Sequence, residues 1–178
     1  MYEEILDVAE ELFMKQGYND TSTRQIANIL GVTQPNIYYH FKNKETIYYQ
    51  VMQRLSHEVR KNLIEIGISE DSFEEKIVAM AFYLQARHPF SLFMMMHDIQ
   101  HILQPETSKK LFVLWEHSYK QPFIDLFQQS SKLRSTVEAD FAVRQLFILI
   151  SAYLDSPIEN RKENLQAAIQ LFFYGILK

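Results

Sequence analysis

Apolar residues recur at three- and four-residue intervals along almost the whole chain, the spacing of one face of an α-helix. Ile5, Leu6, Ala9, Leu12 and Phe13 form the first such stripe, opposite Glu3, Glu4, Asp7, Glu10 and Glu11, and Gly17 is placed to stop that helix. The hydroxyl cluster Thr21-Ser22-Thr23 offers an N-cap for a short helix through Leu30. Gly31 ends it, and Thr33 can cap a third helix with Pro35 in its first turn, where the missing N–H costs little. Asn43 can cap a long fourth helix that carries Ile47, Val51, Leu55 and Val59 along one side and stops near Gly67. Turn residues beyond it mark off helices at 72–87, 90–102, 106–130, 136–155 and 161–177, the third of them kinked or broken at Pro122. Four Gly and five Pro are too few turn residues for an all-β chain. The expectation is an all-α fold of about nine helices, with short helices giving way to long ones near residue 45 and a division into 1–45 and 46–178.

Composition narrows the classes. At 178 residues and 47% hydrophobic content, the chain can bury a core without a disulfide or metal staple. Its zero cysteines exclude disulfide frameworks, thiolate metal sites and thiol nucleophiles. No apolar run approaches the roughly 18 residues of a membrane span, and the N-terminus has no signal-peptide pattern, so a cytoplasmic protein is expected. The formal net charge of -4 opposes a chain that coats nucleic acid by overall positive charge, so any such contact has to be local.

One segment has that local character. Between Thr21 and Lys44 the ionised residues are Arg24, Lys42 and Lys44, with no Asp or Glu among them. Ile26 and Leu30 face inward from one helix, Ala27 is small enough for a second helix to cross closely, Gly31 permits the tight turn, and Val32 and Ile37 bury the second helix. These are the steric requirements of a helix-turn-helix. Helix N-termini at Ser22 and Thr33 can hold phosphates, and Gln34, Asn36, Tyr39 and His40 suit base edges or the DNA backbone. The competing reading of the segment is a solvated helical hairpin inside a larger bundle, which has no need for Ala and Gly at these positions together with an acid-free face.

The same residues resemble the tetracycline-repressor (TetR) family of bacterial transcriptional regulators. The match runs through Ile5-Leu6, Leu12-Phe13, Gly17-Tyr18, Thr21-Ser22-Thr23, Ile26-Ala27, Leu30-Gly31-Val32, Tyr38-Tyr39-His40-Phe41 and Lys44, over about the first 50 residues. The resemblance implies that Arg24 and Gln34 contact bases, with Asn36 and Tyr39 also in the groove, and that Thr23, Tyr38, His40 and Lys44 anchor phosphates alongside the Thr33 helix end. It further implies an N-terminal helix-turn-helix domain and a C-terminal helical domain that binds an effector and dimerises.

The rest of the chain supplies candidates for those two tasks. A short recognition helix reads few base pairs, so a homodimer on a palindromic double-stranded DNA operator is expected. Its interface is assigned to the last two helices, through Phe141, Leu146, Ile150 and Tyr153 on one and Ile169, Phe172, Phe173 and Ile176 on the other; the alternative is that these helices only complete the monomer core. The resemblance places an effector pocket among the middle helices, where Met80, Tyr83, Phe93, Met96, His97, His101, Trp115, Tyr119 and Phe123 are adaptable to a largely apolar small molecule. His97 and His101 share a helix face at the spacing of a metal chelate, yet no third ligand is identifiable, so they are expected to line the pocket wall and no metal or cofactor is assigned. Enzyme chemistry is not expected: there is no Gly-x-Ser-x-Gly elbow, no phosphate-binding Gly-rich loop and no Cys. The expected function is a DNA-binding regulator, preferentially a repressor released by a small effector. The alternative is a DNA-binding adaptor whose helical domain takes a protein partner.

Overall fold

The computed structural model describes residues 1–87, 92–154 and 160–177, with 92–95 and 154 described by their backbone alone. Among the described residues the chain forms ten α-helices and no strand: α1 Tyr2–Asp20, α2 Thr23–Leu30, α3 Gln34–His40, α4 Lys44–Gly67, α5 Phe73–Arg87, α6 Leu92–His101, α7 Pro105–Trp115, α8 Gln121–Gln129, α9 Ala139–Leu154 and α10 Arg161–Ile176. A π-helical segment, Glu116–Lys120, joins α7 to α8 without a break, so that run counts as one rod and the helical rods number the expected nine.

Glycines act where the apolar pattern places them. Gly17 sits at φ 80°, ψ 175° and interrupts α1 three residues before its end. Gly31 adopts the left-handed conformation at the end of α2, where its N–H returns to the Ala27 and Asn28 carbonyls. An L side chain is strained in either conformation.

Pro122 acts differently from the expected kink. Proline has no N–H to give the preceding turn, and its ring crowds the carbonyl four residues back. Widening the preceding turn into the π segment absorbs this, with the Gln121 N–H reaching the Glu116 carbonyl and helical dihedrals kept on both sides. The wider turn also brings Lys120 inside, where its ammonium meets Asp140 at 2.8 Å and Glu116 at 3.3 Å. Burial opposes that charge most strongly, but the hydrogen bonds to Asp140 and Glu116 outweigh it and raise the Lys120 pKa.

The chain resolves into two compact units, Met1–His57 with Phe93–Leu114 and Glu58–Leu92 with Trp115–Lys178. The first is therefore larger than the three short helices: Ile47, Tyr48, Val51, Met52 and Leu55 of α4 are buried in it, as are Ile99 and Leu111. The second is centred on Ile77, Met80 and Leu84 of α5, Phe123 and Phe127 of α8, Val143, Leu146 and Ile150 of α9, and Leu165 and Ile169 of α10. Arg134 closes the C-terminal end of α10, donating through Nε to the Leu177 carbonyl at 2.8 Å, beside an isolated bridge between Leu133 and Leu177.

Gly17→Ala is expected to lower unfolding stability by about 1–3 kcal/mol, read by urea denaturation, because the substitution meets a dihedral pair that L residues rarely tolerate. An unchanged midpoint would show that the chain relaxes into a continuous helix there at no cost.

Candidate nucleic-acid interface

The start of α2 is fixed by its own side chains. Ser22 Oγ accepts the Gln25 N–H at 3.2 Å, and Gln25 Oε1 accepts the Ser22 N–H at 2.7 Å, a reciprocal capping box. Ile26 and Ala27 of α2 and Ile37 of α3 are buried, and the left-handed Gly31 turns the chain between the two helices. The helix-turn-helix is thus built from apolar side chains on its inner side. Val32, expected inside, is half-buried. Thr33 precedes α3 in an extended conformation, but its exposed side chain makes no capping bond, so only the backbone of that turn prepares the helix.

Between the helices runs a small polar network. Thr23 Oγ1 lies 3.1 Å from the Tyr38 hydroxyl and accepts from Gln34 Nε2 at 3.1 Å. Thr23 is buried, so its hydroxyl braces α2 against α3 and is not an open phosphate contact. Gln34 is half-buried and held by that bond. The outward surface consists of Arg24, Asn36, Tyr38, Lys42 and Tyr39, the last 86% exposed. Half-buried His40 stands edge-on to Tyr39, with ring centroids 5.2 Å apart. Asn28 and Ile29 are also exposed on α2; the Arg24–Asn28 spacing of one helical turn is the sequence signal that identifies the former.

Lys44, expected to anchor a phosphate, has partners within the chain. Its Nζ donates to the Tyr18 carbonyl at 2.8 Å and the Thr21 carbonyl at 2.9 Å and stands 4.0 Å from the centre of the Tyr18 ring. Two of its three donors are therefore committed within the chain. Burial lowers the Lys44 pKa, against the opposing pull of Asp98 and Asp20. Asp98, on α6, is itself buried and accepts the Tyr18 N–H at 3.3 Å. Burial raises its pKa, while the Tyr18 N–H, His97 and Lys44 act in the other direction. The Tyr18 hydroxyl is pushed up to about 12 by burial, with Glu45 and Asp98 adding to it.

The residues assigned to an effector pocket are divided between the two units. Met80, Tyr119 and Phe123 are fully buried in the second unit, where Phe123 and Trp115 each pack edge-on against Phe147. Tyr83 there is half-buried. Half-buried Met96 and exposed His97 and His101 belong to the first unit, and the Phe93 side chain lies outside the described residues. The two imidazoles are 5.0 Å apart between centroids; among the described residues no three His, Asp or Glu side chains group as a metal site. An open cavity of about 730 Å³ lies elsewhere, between α5 and α10, with Glu74, Val78, Phe82, Arg134, Gln170 and Tyr174 in its walls.

Several residues assigned to pairing are likewise internal. Leu146, Ile150 and Ile169 are wholly buried within the protomer and Phe173 nearly so, because they occupy the inward stripe of α9 and α10 and fill its own core. Tyr153, Phe172 and Ile176 are half-buried. The outward face of these helices carries Phe141, Ile148, Leu171 and Tyr174, the last two 72% and 80% exposed.

The N-terminal part is thus a helix-turn-helix, cross-braced by Thr23, Gln34 and Tyr38, whose outer side is cationic and aromatic. Residues 5–51 match the family model of the bacterial regulatory proteins of the tetR family. The chain is 44% identical over 50 residues to the HTH-type transcriptional regulator QacR of Staphylococcus aureus, a match covering 28% of this chain and 27% of that protein. The chain thus spans about a quarter of the length of that relative. A longer match, 24% identical over 172 residues, covers 97% of the chain and 80% of IcaR, the HTH-type negative transcriptional regulator of the biofilm operon in Staphylococcus aureus. The crystal structure of the transcriptional regulator FadR from Bacillus subtilis in complex with stearoyl-CoA superposes with a TM-score of 0.79 at 18% identity, covering 99% of this chain and 100% of that one, which shows a shared fold.

Ser22→Ala removes the capping box and is expected to cost about 0.5–2 kcal/mol in urea unfolding. No loss would mean that water satisfies the start of α2 equally well.

Proposed function

We propose that this protein is a homodimeric, sequence-specific transcriptional regulator that represses from a palindromic operator and is released by a small, largely apolar effector. The observation that carries the reading is the α2–α3 crossing, with an outer face that holds cations and aromatic rings and no carboxylate between Thr21 and Lys44. Such a face needs little total positive charge, because phosphate attraction acts locally and base edges are read by polar and apolar contact. Arg24 and Asn36 are assigned to base edges, Tyr39 to apolar contact in the major groove, and Lys42 to phosphate. Gln34 is held to Thr23 through one Nε2 hydrogen, which leaves its second amide hydrogen and its Oε1 for a base edge.

Pairing is assigned to the outward face of α9 and α10. Four exposed large apolar side chains on two adjacent helices form the kind of surface that a soluble chain covers with a partner. A second copy places a second reading helix on the same duplex, one helical turn away. Repression is supported by the name of IcaR, a negative regulator, and an apolar effector by the stearoyl-CoA bound to FadR. Met80, Tyr119 and Phe123 are fully buried, so an effector that touches them has to enter the interior of the second unit.

Selection of duplexes from a random pool tests the whole reading, with a palindrome expected and a pool without consensus contradicting it. On the selected duplex, Arg24→Ala is expected to relax preference at particular base pairs, and Lys42→Ala to weaken binding to all sequences and reduce the salt slope by about one; equal effects of both on selected and random duplexes would contradict these roles. An Ile148→Asp, Leu171→Asp double variant is expected to sediment as a monomer with unchanged helical content and to lose high-affinity binding; a variant that stays dimeric would move the interface elsewhere.

A further inference from the structure

The chain enters the helix-turn-helix through Gly17–Ser22, a segment closed on itself by the Thr21 N–H donating to the Tyr18 carbonyl at 3.3 Å and held further by side chains from α4 and α6. Gly17, at ψ 175°, turns the Gly17–Tyr18 peptide out of the helical alignment of α1, so the Tyr18 N–H no longer follows the helical ladder. That N–H donates to Asp98 Oδ2 on α6 at 3.3 Å. The carbonyls at the other end of the segment, those of Tyr18 and Thr21, accept from Lys44 Nζ at the start of α4, at 2.8 and 2.9 Å. Thr21 Oγ1 closes the turn on the Gly17 carbonyl at 2.8 Å.

We propose that Asp98 and Lys44 are positioning residues that clamp the α1–α2 junction from α6 and α4 and thereby set the stance of the DNA-reading helices. A buried carboxylate is costly unless its partners repay it, and a junction needing only packing is served better by an apolar residue. Asp98 instead spends its burial on a backbone N–H that the Gly17 turn leaves without a helical partner. Lys44 spends two donors on carbonyls of the same segment, which takes its charge out of the set available to phosphate. The cation and the anion hold opposite polar groups of one short stretch, so the loss of either frees the same piece of backbone. The consequence for binding is an ordering cost paid when DNA is met, because a loosened junction has to be fixed again before α2 and α3 dock together.

This inference rests on the DNA-binding reading, so its test has an arm without DNA. In hydrogen exchange on the full chain, the Tyr18 amide is expected to be protected in the wild type and to exchange at least about tenfold faster in Asp98→Leu and Asp98→Ala, with the amide of Val51 in the α4 core unchanged. A fast Tyr18 amide in the wild type overturns the clamp without any variant. On a duplex that the wild type selects, Asp98→Leu and Lys44→Met are each expected to weaken affinity about tenfold, and the double variant by less than the product. Asp98→Asn, which keeps an oxygen acceptor, is expected to restore affinity to within about threefold of wild type. Lys44→Met is expected to leave the salt slope unchanged. A slope shallower by about one assigns Lys44 to a phosphate, and wild-type affinity in Asp98→Leu leaves Asp98 without a positioning role; either result overturns the proposal. Failure of the wild type to select any duplex strikes the DNA-binding reading alone, and amide exchange still decides the clamp.

Discussion

The helix-turn-helix depends on the close crossing of two helices that are too short to stand alone. Isolated helices of fewer than about 12–15 residues are marginal in water, and α2 and α3 have eight and seven. They persist because Ile26, Ala27 and Ile37 are buried together and because Gly31 turns the chain tightly enough to keep them in contact. The Thr23, Gln34 and Tyr38 bonds then add register to the apolar contact. With the inner sides committed to packing, the residues left for DNA are the outward ones, which is why Arg24, Asn36 and Tyr39 carry the functional reading.

The charge of the chain is arranged around the same constraint. Arg54 of α4 gathers three carboxylates of α1, meeting Asp7 at 2.7 Å, Glu10 at 2.9 Å and Glu3 at 3.4 Å. The acidic stripe that makes the first helix look hostile to DNA is thus partly neutralised. Lys44 is likewise engaged within the chain, which leaves Arg24 and Lys42 as the exposed cations of the stretch from Thr21 to Lys44. Attraction to the duplex therefore rests on few charges, and preference among sequences falls to polar and aromatic contacts.

The sequence makes local structure legible and long-range partners illegible. The cap at Ser22, the turn at Gly31 and the all-helical fold follow from apolar spacing and turn chemistry that act over a few residues, whereas Gly17, expected to stop the first helix, only interrupts it and α1 runs on to Asp20. Lys44 could not be assigned in the same way, because its partners are backbone carbonyls and every residue has one. Asp98 carries no local signal of its role, since its contact with Tyr18 spans 80 positions. On α9, counting apolar residues does not separate Leu146 and Ile150, one turn apart on the inner stripe, from Phe141 and Ile148, two turns apart on the outer one. Pro122 shows the same limit at short range: its steric demand is certain, and whether it is met by a kink or a π turn is decided by what the turn packs against.

Hydroxyl-radical footprinting of the intact protein on a duplex it selects addresses the central claim, a pair of chains reading DNA through α2 and α3, most directly. Two protected patches related by symmetry and centred about 10 base pairs apart are expected. Protection confined to a single patch, or spread evenly along the duplex, contradicts a paired helix-turn-helix reader.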